Sequence, residues 1–272
     1  MSTLLLLLGL VCVVRAQDLT GYNLTFDEEF NYVGPPHPSK WFNLVRTFTS
    51  EQNTSGANVN VNGTNLVIET RKDGAAQGYT TAYTSGRIQT ATFVNGSQIL
   101  FAQQYGIFEA RIKCPPGSGF NPAFWMKSSD NLGTDTEIDI FEEFEGVNTV
   151  TATIHWASGD SSCVRGNVSS PPDLSADYHI YSMKWAENDI KFFFDGVQYA
   201  EFTPSSVPAG SWVFNKPFYV ILAQGVQDTS GTVPADMLVD WVRVYQSRLR
   251  LHHLQRKLHR GRVAPDPKPN WH

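Results

Sequence analysis

The sequence is organised around one acidic stretch, Thr136-Glu137-Ile138-Asp139-Ile140-Phe141-Glu142-Glu143-Phe144. Apolar β-formers alternate with acids in it, which is the pattern of a half-buried strand. Because strand side chains alternate between two faces, Glu137 and Asp139 share a face, whereas strict alternation would turn Glu142 away from them. One bulged residue, Ile140 or Phe141, would shift the count and return Glu142 to that face. The stretch therefore predicts a bulged strand with three carboxyl groups on one side.

Three carboxylates on one face repel one another, and such clusters are typical of sites where chemistry uses them. Two carboxyl groups that flank one bond are the equipment of a glycosidase. One carboxylate attacks the anomeric carbon, and the other, held protonated by nearby negative charge, donates a proton to the leaving oxygen. A third acid between them can hold the nucleophile and raise the proton affinity of its neighbour. The alternative from spacing alone is a solvated acidic edge strand.

The motif Glu137-x-Asp139-x-x-Glu142 resembles the catalytic signature of glycoside hydrolase family 16, in the form that carries the β-bulge. Other segments match that family in the right order between about Tyr22 and Gln246: Trp41, Ser85-Gly86-Arg87-Ile88, Tyr105-Gly106-x-Phe108-Glu109-Ala110-Arg111-Ile112, Pro122-Ala123-Phe124-Trp125-Met126, Thr153-Ile154-His155, Tyr178-His179-x-Tyr181-x-Met183-x-Trp185, Phe194-Asp195-Gly196 and Asp240-Trp241-Val242-Arg243-Val244-Tyr245. The resemblance implies a laminarinase-like endo-β-1,3-glucanase with a retaining mechanism.

The resemblance also implies a role for each acid. It makes Glu137 the nucleophile and Glu142 the acid/base, with Asp139 supporting both. His155 is expected to hydrogen-bond the catalytic carboxylates or the substrate and tune protonation, and its alternative is a satisfied core histidine.

Further residues are predicted to bind the sugar. Sugar rings present apolar C–H faces, so Trp125 and Trp156 are candidate platforms. Arg87 resembles a cleft arginine that contacts sugar hydroxyls, and Gln224 stands where relatives carry a polar cleft residue. No cofactor is expected beyond a structural calcium on the convex face, for which Asp240 resembles the side-chain ligand. The alternative for Asp240 is an ion pair at a strand end.

Two departures from the family pattern bear on the substrate. Relatives acting on β-1,3-glucan often have Trp where this chain has Asn121, and Trp-Pro shortly before the catalytic strand, where this chain has Asn131-Leu132-Gly133-Thr134-Asp135-Thr136. The bulge disfavours mixed-linkage glucan and xyloglucan, and leaves agarase- or carrageenase-like hydrolysis open. The resemblance is also compatible with a transglycosylase or with a non-catalytic β-glucan-binding protein, although binding-only members are expected to lose the acids.

The rest of the chain reads as one large β domain, 17–246. Alternating runs recur from Asn65 to Tyr245, turn clusters such as Asn62-Gly63 and Asp195-Gly196 separate them, and no long stretch has helical spacing. The pattern predicts two packed antiparallel sheets. The resemblance sharpens this prediction to a β-jelly roll sandwich whose concave sheet forms the substrate cleft.

The N-terminal segment, 1–16, is a short run of leucines and valines that ends in Val14-Arg15-Ala16. This pattern predicts a secretory signal peptide and a secreted, extracellular protein; the run is too short for a membrane span. Secretion agrees with five glycosylation sequons, at Asn23, Asn53, Asn62, Asn95 and Asn167. Cys114 and Cys163 form either a disulfide or two separate buried thiols.

Charge is distributed unevenly along the chain. The total is −5; the segment 247–272 contributes +6 and Arg15 +1, which leaves −12 for residues 17–246. An acidic domain argues against nucleic acid as a partner and mildly disfavours heavily sulfated polysaccharides. A monomer that binds a polysaccharide, β-glucan in the leading interpretation, is expected. The basic tail 247–272 is predicted to be disordered, with binding to acidic cell-surface material as the alternative.

Overall fold

The computed structural model describes residues 17–47, 52–92, 98–129, 136–143, 148–157, 160–228 and 230–250. The predicted signal peptide and residues 251–272 lie outside this part of the chain. No helix among the described residues is long and apolar enough to cross a membrane.

The described residues form strands joined by turns and three short 3₁₀ helices, Gly56–Asn58, Asp160–Ser162 and Pro204–Ser206. In chain order the strands are β1 Tyr22–Glu28, β2 Val33–Gly34, β3 Phe42–Asn43, β4 Arg46–Thr47, β5 Gln52–Thr54, β6 Val59–Asn62, β7 Leu66–Thr70, β8 Tyr83–Ser85, β9 Arg87–Gln89, β10 Ala91–Thr92, β11 Gln98–Ile99, β12 Gly106–Lys113, β13 Phe120–Ser128, β14 Glu137–Glu142, β15 Thr151–His155, β16 Cys163–Asn167, β17 His179–Ala186, β18 Asp189–Phe194, β19 Val197–Phe202, β20 Phe218–Val226 and β21 Ala235–Ser247.

Two large antiparallel sheets contain most of these strands. The nine-stranded sheet has the order β19-β18-β17-β12-β21-β7-β6-β2, with β1 also paired to β21, and the seven-stranded sheet has the order β16-β15-β14-β13-β20-β9-β3. The acidic stretch contains β14, an interior strand that lies third from one edge of the seven-stranded sheet. The predicted architecture of two packed antiparallel sheets is confirmed.

The core lies between the two sheets and is built from one face of each. On β13 the alternation is clear, because Phe124 and Met126 are fully buried in the main core whereas Trp125 belongs to a separate small cluster. Across the core, Phe141 of β14 stacks on Tyr181 of β17 with ring centroids 3.8 Å apart. Burying such aromatic side chains stabilises the sandwich by about 2–3 kcal/mol each. The acids of β14 therefore project from the opposite, outer face of the seven-stranded sheet.

Several sequence predictions can be compared directly with the fold. Cys114 and Cys163 are not joined by a disulfide. Of the sequon asparagines, Asn23, Asn62 and Asn167 are exposed, Asn95 lies outside the described residues, and Asn53 is buried, with its amide oxygen accepting a hydrogen bond from Thr81. A glycan on Asn53 would therefore require this part of the fold to open.

The first residues of the predicted tail, which begins at residue 247, contact the domain. Strand β21 continues to Ser247. Arg250 donates to the side chain of Gln104 at 2.7 Å, and its guanidinium lies 4.1 Å from the ring centre of Tyr105. Gln104 and Tyr105 are far from Arg250 in sequence, so the composition of the tail did not indicate these contacts.

Candidate active site

A bulge at Ile140 brings the three acids of β14 to one face. Asp139 pairs with Trp125 and Phe141 pairs with Phe124, so Ile140 has no partner on β13. On its other side β14 pairs with β15, where Asp139 lies opposite Thr153 and Glu142 opposite Thr151. Here too β14 has one residue more than its partner strand between the two pairs. Phe141 consequently turns into the core, where it is fully buried. The predicted bulge is present, and we call the face of the seven-stranded sheet that carries Glu137, Asp139 and Glu142 the acid face.

Asp139 is the buried member of the three acids, at 1% exposure. Burial raises its pKa well above the usual value, and the negative charges of Glu137 and Glu142 and a hydrogen bond with Glu137 raise it further. A raised pKa favours the protonated form of Asp139, in which its hydroxyl donates this hydrogen bond to the Glu137 carboxylate. The middle acid is thus in hydrogen-bond contact with its neighbour Glu137.

Glu137 also has a basic neighbour that the sequence analysis did not single out. Lys127, its partner on β13, places its ammonium nitrogen 3.4 Å from a Glu137 carboxylate oxygen. This ammonium group offsets the negative charge that the acids bring together. Lys127 follows Trp125 by two residues on β13, and strand side chains alternate between faces. Alternation would therefore have placed Lys127 on the acid face with Trp125.

His155 lies beside the acids, where it was predicted. It pairs with Glu137 across β14 and β15, and its Nε2 is 3.2 Å from an Asp139 carboxylate oxygen, although that oxygen has no partner at hydrogen-bond geometry. Ligand atoms of Glu137, Asp139 and His155 lie within 4.8 Å of one another, a spacing that could also hold a cation. The Lys127 ammonium group already supplies a positive charge there.

Trp125 and Arg87 also lie on the acid face. The Arg87 guanidinium is 4.5 Å from the Trp125 ring centre, and its Nε donates to the Gln89 side chain at 3.1 Å. Gly86 permits this placement because a Cβ there would lie 2.3 Å from a methyl group of Val59. Arg87 is 5% exposed. The structure thus brings these two predicted substrate-binding residues to the acids.

Gln224 and Trp156 lie elsewhere, and the structure does not bring them to the acids. Gln224 is 1% exposed and donates inward to Thr70 and to the carbonyl of Ala235, both on the nine-stranded sheet. It shares the core face of β20 with Leu222, which is why it links the sheets. Trp156 directly follows His155, so its side chain points to the opposite face of the sheet. It is half-buried and packs against the main core.

Asp240 adopts the alternative that the sequence offered for it. Its carboxylate forms an ion pair with Arg111 at 2.6 Å, and the Arg111 guanidinium lies over the ring of Tyr178. Calcium takes six to eight oxygen ligands, and a cation at Asp240 would lie beside a guanidinium. The surroundings of this side chain therefore do not fit the predicted calcium ligand.

Asn121 contacts the third acid. Its amide nitrogen donates to a Glu142 carboxylate oxygen at 3.2 Å, whereas its own amide oxygen is buried without a hydrogen-bond partner. From the sequence, Asn121 was identified only as a position where relatives carry an aromatic platform. Asn121 precedes Trp125 by four residues on β13, so strand alternation would have placed both side chains on the face of the acids.

A cavity of about 350 Å³ lies at the edge of the seven-stranded sheet nearest Glu142. Its lining includes Thr151, Arg165 and Asn167, which by register share the acid face. Arg87 lies at the other end of the same face. Five inter-strand steps separate β9 from β16, which at strand spacing is roughly 24 Å. The acids therefore lie between Arg87 and this cavity on the same face of the sheet.

The sequence profile of glycosyl hydrolases family 16 matches residues 46–243. The chain belongs to this family. A β-glucanase of Rhodothermus marinus is 29% identical over 85% of this chain and 88% of its own length. A keratan-sulfate endo-1,4-β-galactosidase of Sphingobacterium multivorum is 31% identical over 84% of this chain, which spans only 56% of that relative.

Solved structures of family 16 enzymes have the same fold. A non-specific endo-β-1,3(4)-glucanase superposes with a TM-score of 0.73 at 31% identity, covering 84% of this chain and 92% of that one. The laminarinase catalytic domain from Thermotoga maritima gives 0.70 at 28% identity, with 83% and 98% covered. The predicted jelly-roll sandwich and the predicted membership of glycoside hydrolase family 16 are confirmed.

Proposed function

We propose that this family 16 protein is a retaining endo-β-glycosidase that hydrolyses β-1,3-linked glucan. The observation that carries the proposal is the bulge at Ile140, which places Glu137, Asp139 and Glu142 on one face. A binding protein would have no need for three acids whose convergence costs stability. The endo-glucanases among the relatives support attack within a chain.

In the first step the Glu137 carboxylate attacks the anomeric carbon while Glu142 protonates the leaving oxygen. The Glu137–Lys127 contact and the hydrogen bond from protonated Asp139 orient the nucleophile. Asn121 holds the Glu142 carboxyl group through its amide N–H. Bond formation to Glu137 and bond breaking at the leaving group then occur with both carboxyl groups fixed.

In the second step Glu142, now ionised, takes a proton from a water molecule. The oxygen of that water attacks the same anomeric carbon, and the bond to the Glu137 carboxylate breaks. While Glu137 is esterified its negative charge is absent, which removes one cause of the raised pKa of Asp139. Two inversions give net retention. A sugar hydroxyl in place of water would give transglycosylation by the same groups.

The choice of β-1,3-glucan rests on the relatives. Their names include β-glucanase, glucan endo-1,3-β-glucosidase from Niallia circulans and a non-specific endo-β-1,3(4)-glucanase. These names favour a glucan backbone with β-1,3 linkages. The keratan-sulfate relative makes keratan sulfate the first alternative to include in a test.

Reducing-end release from a polysaccharide panel tests the proposal. The panel contains laminarin, mixed-linkage glucan, agar, carrageenan and keratan sulfate, and product sizes are read alongside. We expect the highest kcat/KM on laminarin, with oligosaccharides of mixed length from the first minutes. Products of a single short length would contradict endo-action, larger products would indicate transglycosylation, and binding without cleavage would contradict the enzymatic function.

We propose that the protein is secreted after removal of residues 1–16 and acts as a monomer without a required cofactor. The N-terminal pattern and the exposed sequon asparagines Asn23, Asn62 and Asn167 support secretion. Mass spectrometry of protein collected from the medium of a eukaryotic host should find Gln17 at the N-terminus. Retention of the chain in the cell with Met1 intact would contradict this proposal.

A further inference from the structure

Asn167, the first residue of the sequon Asn167-Val168-Ser169, lies on the acid face near the proposed acid/base. The register places Glu142 opposite Thr151 and Thr151 opposite Asn167, so the three side chains share one face. Two inter-strand steps separate Glu142 from Asn167, which at strand spacing is roughly 10 Å. Asn167 is the last residue of β16, the edge strand of the seven-stranded sheet. A group attached to Asn167 would therefore stand at the end of the acid face.

The side chain of Asn167 can carry a modification without loss of a native contact. Asn167 and Ser169 are exposed, and the Asn167 amide has no hydrogen-bond partner among the described residues. The other described sequon asparagines accept hydrogen bonds from neighbouring side chains or backbone groups: Asn23 from Arg248, Asn53 from Thr81 and Asn62 from Thr64. A sugar on the amide nitrogen of Asn167 thus displaces no hydrogen bond within the described part of the chain.

The cavity of about 350 Å³ beside Asn167 has a lining that suits a sugar. Its volume lies at the small end of the range of small-molecule sites, about 300–1,000 Å³. The lining combines the hydroxyl groups of Thr151 and Ser170 with the apolar side chains of Val168 and Pro171. A sugar ring needs both kinds of contact, because it presents hydroxyl groups at its rim and C–H groups on its faces. Since Asn167 belongs to the lining, the first sugar attached to it begins at the wall of this cavity.

We propose that Asn167 carries an N-linked oligosaccharide whose first sugars occupy this cavity and close the β16 end of the acid face to the substrate. The inference rests on the proposed secretion and glycosidase function, and it limits how many substrate sugars fit beyond Glu142. The sugar donor is an oligosaccharide carried on a lipid pyrophosphate. The Asn167 amide nitrogen bonds to the anomeric carbon of this donor and loses a proton, while the bond from that carbon to the pyrophosphate oxygen breaks and the lipid pyrophosphate leaves.

A closed end changes how the rate depends on the length of the substrate. A glucan chain that lies across the strands and continues past Glu142 runs over Thr151 towards Asn167. An N-linked oligosaccharide is bulky, so it takes the positions that the outermost sugars of a long substrate would otherwise occupy. Sugars bound between Arg87 and Glu142 are not affected. The value of kcat/KM should therefore stop rising at a shorter substrate length when Asn167 is glycosylated.

Mass spectrometry and kinetics of the full chain from two hosts test the inference. A eukaryotic host attaches the oligosaccharide, and a bacterial host without this pathway gives the chain unmodified. We expect a glycan on Asn167 in most molecules from the eukaryotic host. On the longest of a series of β-1,3-glucan oligosaccharides, kcat/KM of the glycosylated protein should be at least about threefold lower, because one lost hydrogen bond lowers affinity by about this factor. An unmodified Asn167, or the same dependence on substrate length in both forms, would overturn the inference.

Ser169→Ala is the decisive variant because it removes the sequon and keeps Asn167 itself. From the eukaryotic host it should show the length dependence of the bacterial wild type, and from the bacterial host it should match that wild type. Asn23→Gln is the matched control, since it removes another exposed sequon, on β1 of the nine-stranded sheet. It should keep the length dependence of the glycosylated wild type. An unchanged length dependence in Ser169→Ala, or an equal change in Asn23→Gln, would contradict the closure.

Direct binding separates failure of this inference from failure of the proposed function. If neither form cleaves any oligosaccharide, the glycosidase proposal fails, and calorimetric titration of both forms with the same oligosaccharides then tests the closure alone. Tighter binding of the longest oligosaccharide by the unmodified protein supports the closure, and equal binding overturns it. If the chain stays in the cell, the secretion proposal fails, and a host secretion signal placed before Met1 allows the modification of Asn167 to be measured separately.

Discussion

Asp139 is stabilised in its protonated form, and this makes the stability of the protein depend on pH. Its pKa is raised by burial and by the charges of Glu137 and Glu142, so folding takes up a proton. Because of such an acid, the free energy of unfolding decreases as the pH rises from about 4 towards the folded-state pKa. Above that pKa the free energy of unfolding stays at the lower value.

Asp139→Asn should therefore gain stability relative to wild type as the pH increases. The difference in melting temperature between variant and wild type should be larger at pH 7 than at pH 4, while activity falls by at least about 10²-fold because the support of Glu137 is lost. Asp173→Asn should show the opposite sign, since hydrogen bonds from Ser175 lower the pKa of Asp173. A melting-temperature difference for Asp139→Asn that is independent of pH would contradict the assignment.

Asn121 should position the acid/base group and not bind substrate. Its amide donates to Glu142 at 3.2 Å, and a hydrogen bond to a charged group contributes about 1.5–3 kcal/mol. Asn121→Ala should lower kcat by roughly 10-fold or more with KM nearly unchanged, because the partner is a catalytic group. The effect should shrink on aryl glycosides, whose good leaving groups need less protonation. A loss confined to KM would indicate substrate binding.

At the scale of elements, the bulge in β14 makes a specific prediction about deletions. Without Ile140 the strand would read Glu-Ile-Asp-Phe-Glu, and simple alternation would keep all three acids on the acid face and Phe141 in the core. The pairing of Asp139 with Thr153 and Glu142 with Thr151 would become continuous. The bulge therefore changes the spacing of the acids along the strand, and their common face survives its removal.

Deletion of Ile140 should yield a folded protein with reduced but measurable activity, destabilised by about 2–5 kcal/mol for the lost buried side chain. Deletion of Ile138 is the matched control, because it places Glu137 and Asp139 on opposite faces and should abolish activity. Circular dichroism melting and reducing-end assays of both variants check this. Equal inactivity in two folded variants would show that alternation does not control the site.

Strand parity explains how much of the site could be predicted from the sequence. Within β14 alternation placed Glu137 and Asp139 on one face, and Glu142 joined them only through the predicted bulge. Within β13 alternation would also have located Asn121 and Lys127. Gln224 was assigned to the substrate although Val220 and Leu222, four and two residues before it, mark its side of β20 as the core face. Its partners Thr70 and the Ala235 carbonyl belong to the other sheet, and such contacts between sheets do not follow from local pattern.

At the scale of the whole molecule, the sandwich assembles the site from distant parts of the chain. In the seven-stranded sheet β13 lies between β14 and β20, and β9 lies beyond β20, so Arg87 reaches Trp125 across a strand that follows both in sequence. The alternating pattern predicted two sheets but did not predict this strand order. Pairing between distant strands depends on packing that no single segment encodes.

The central claim is that Glu137 is the nucleophile of a retaining mechanism, with Glu142 as acid/base. The most direct measurement is the anomeric configuration, by NMR, of the glycosyl azide that Glu137→Ala forms from an activated β-glycoside. Without the carboxylate, azide occupies its place and attacks from the same side, so the α-azide is expected. Glu142→Ala, which still forms the glycosyl-enzyme, should give the β-azide. A β-azide from Glu137→Ala, or near-wild-type hydrolysis by that variant, would contradict the account.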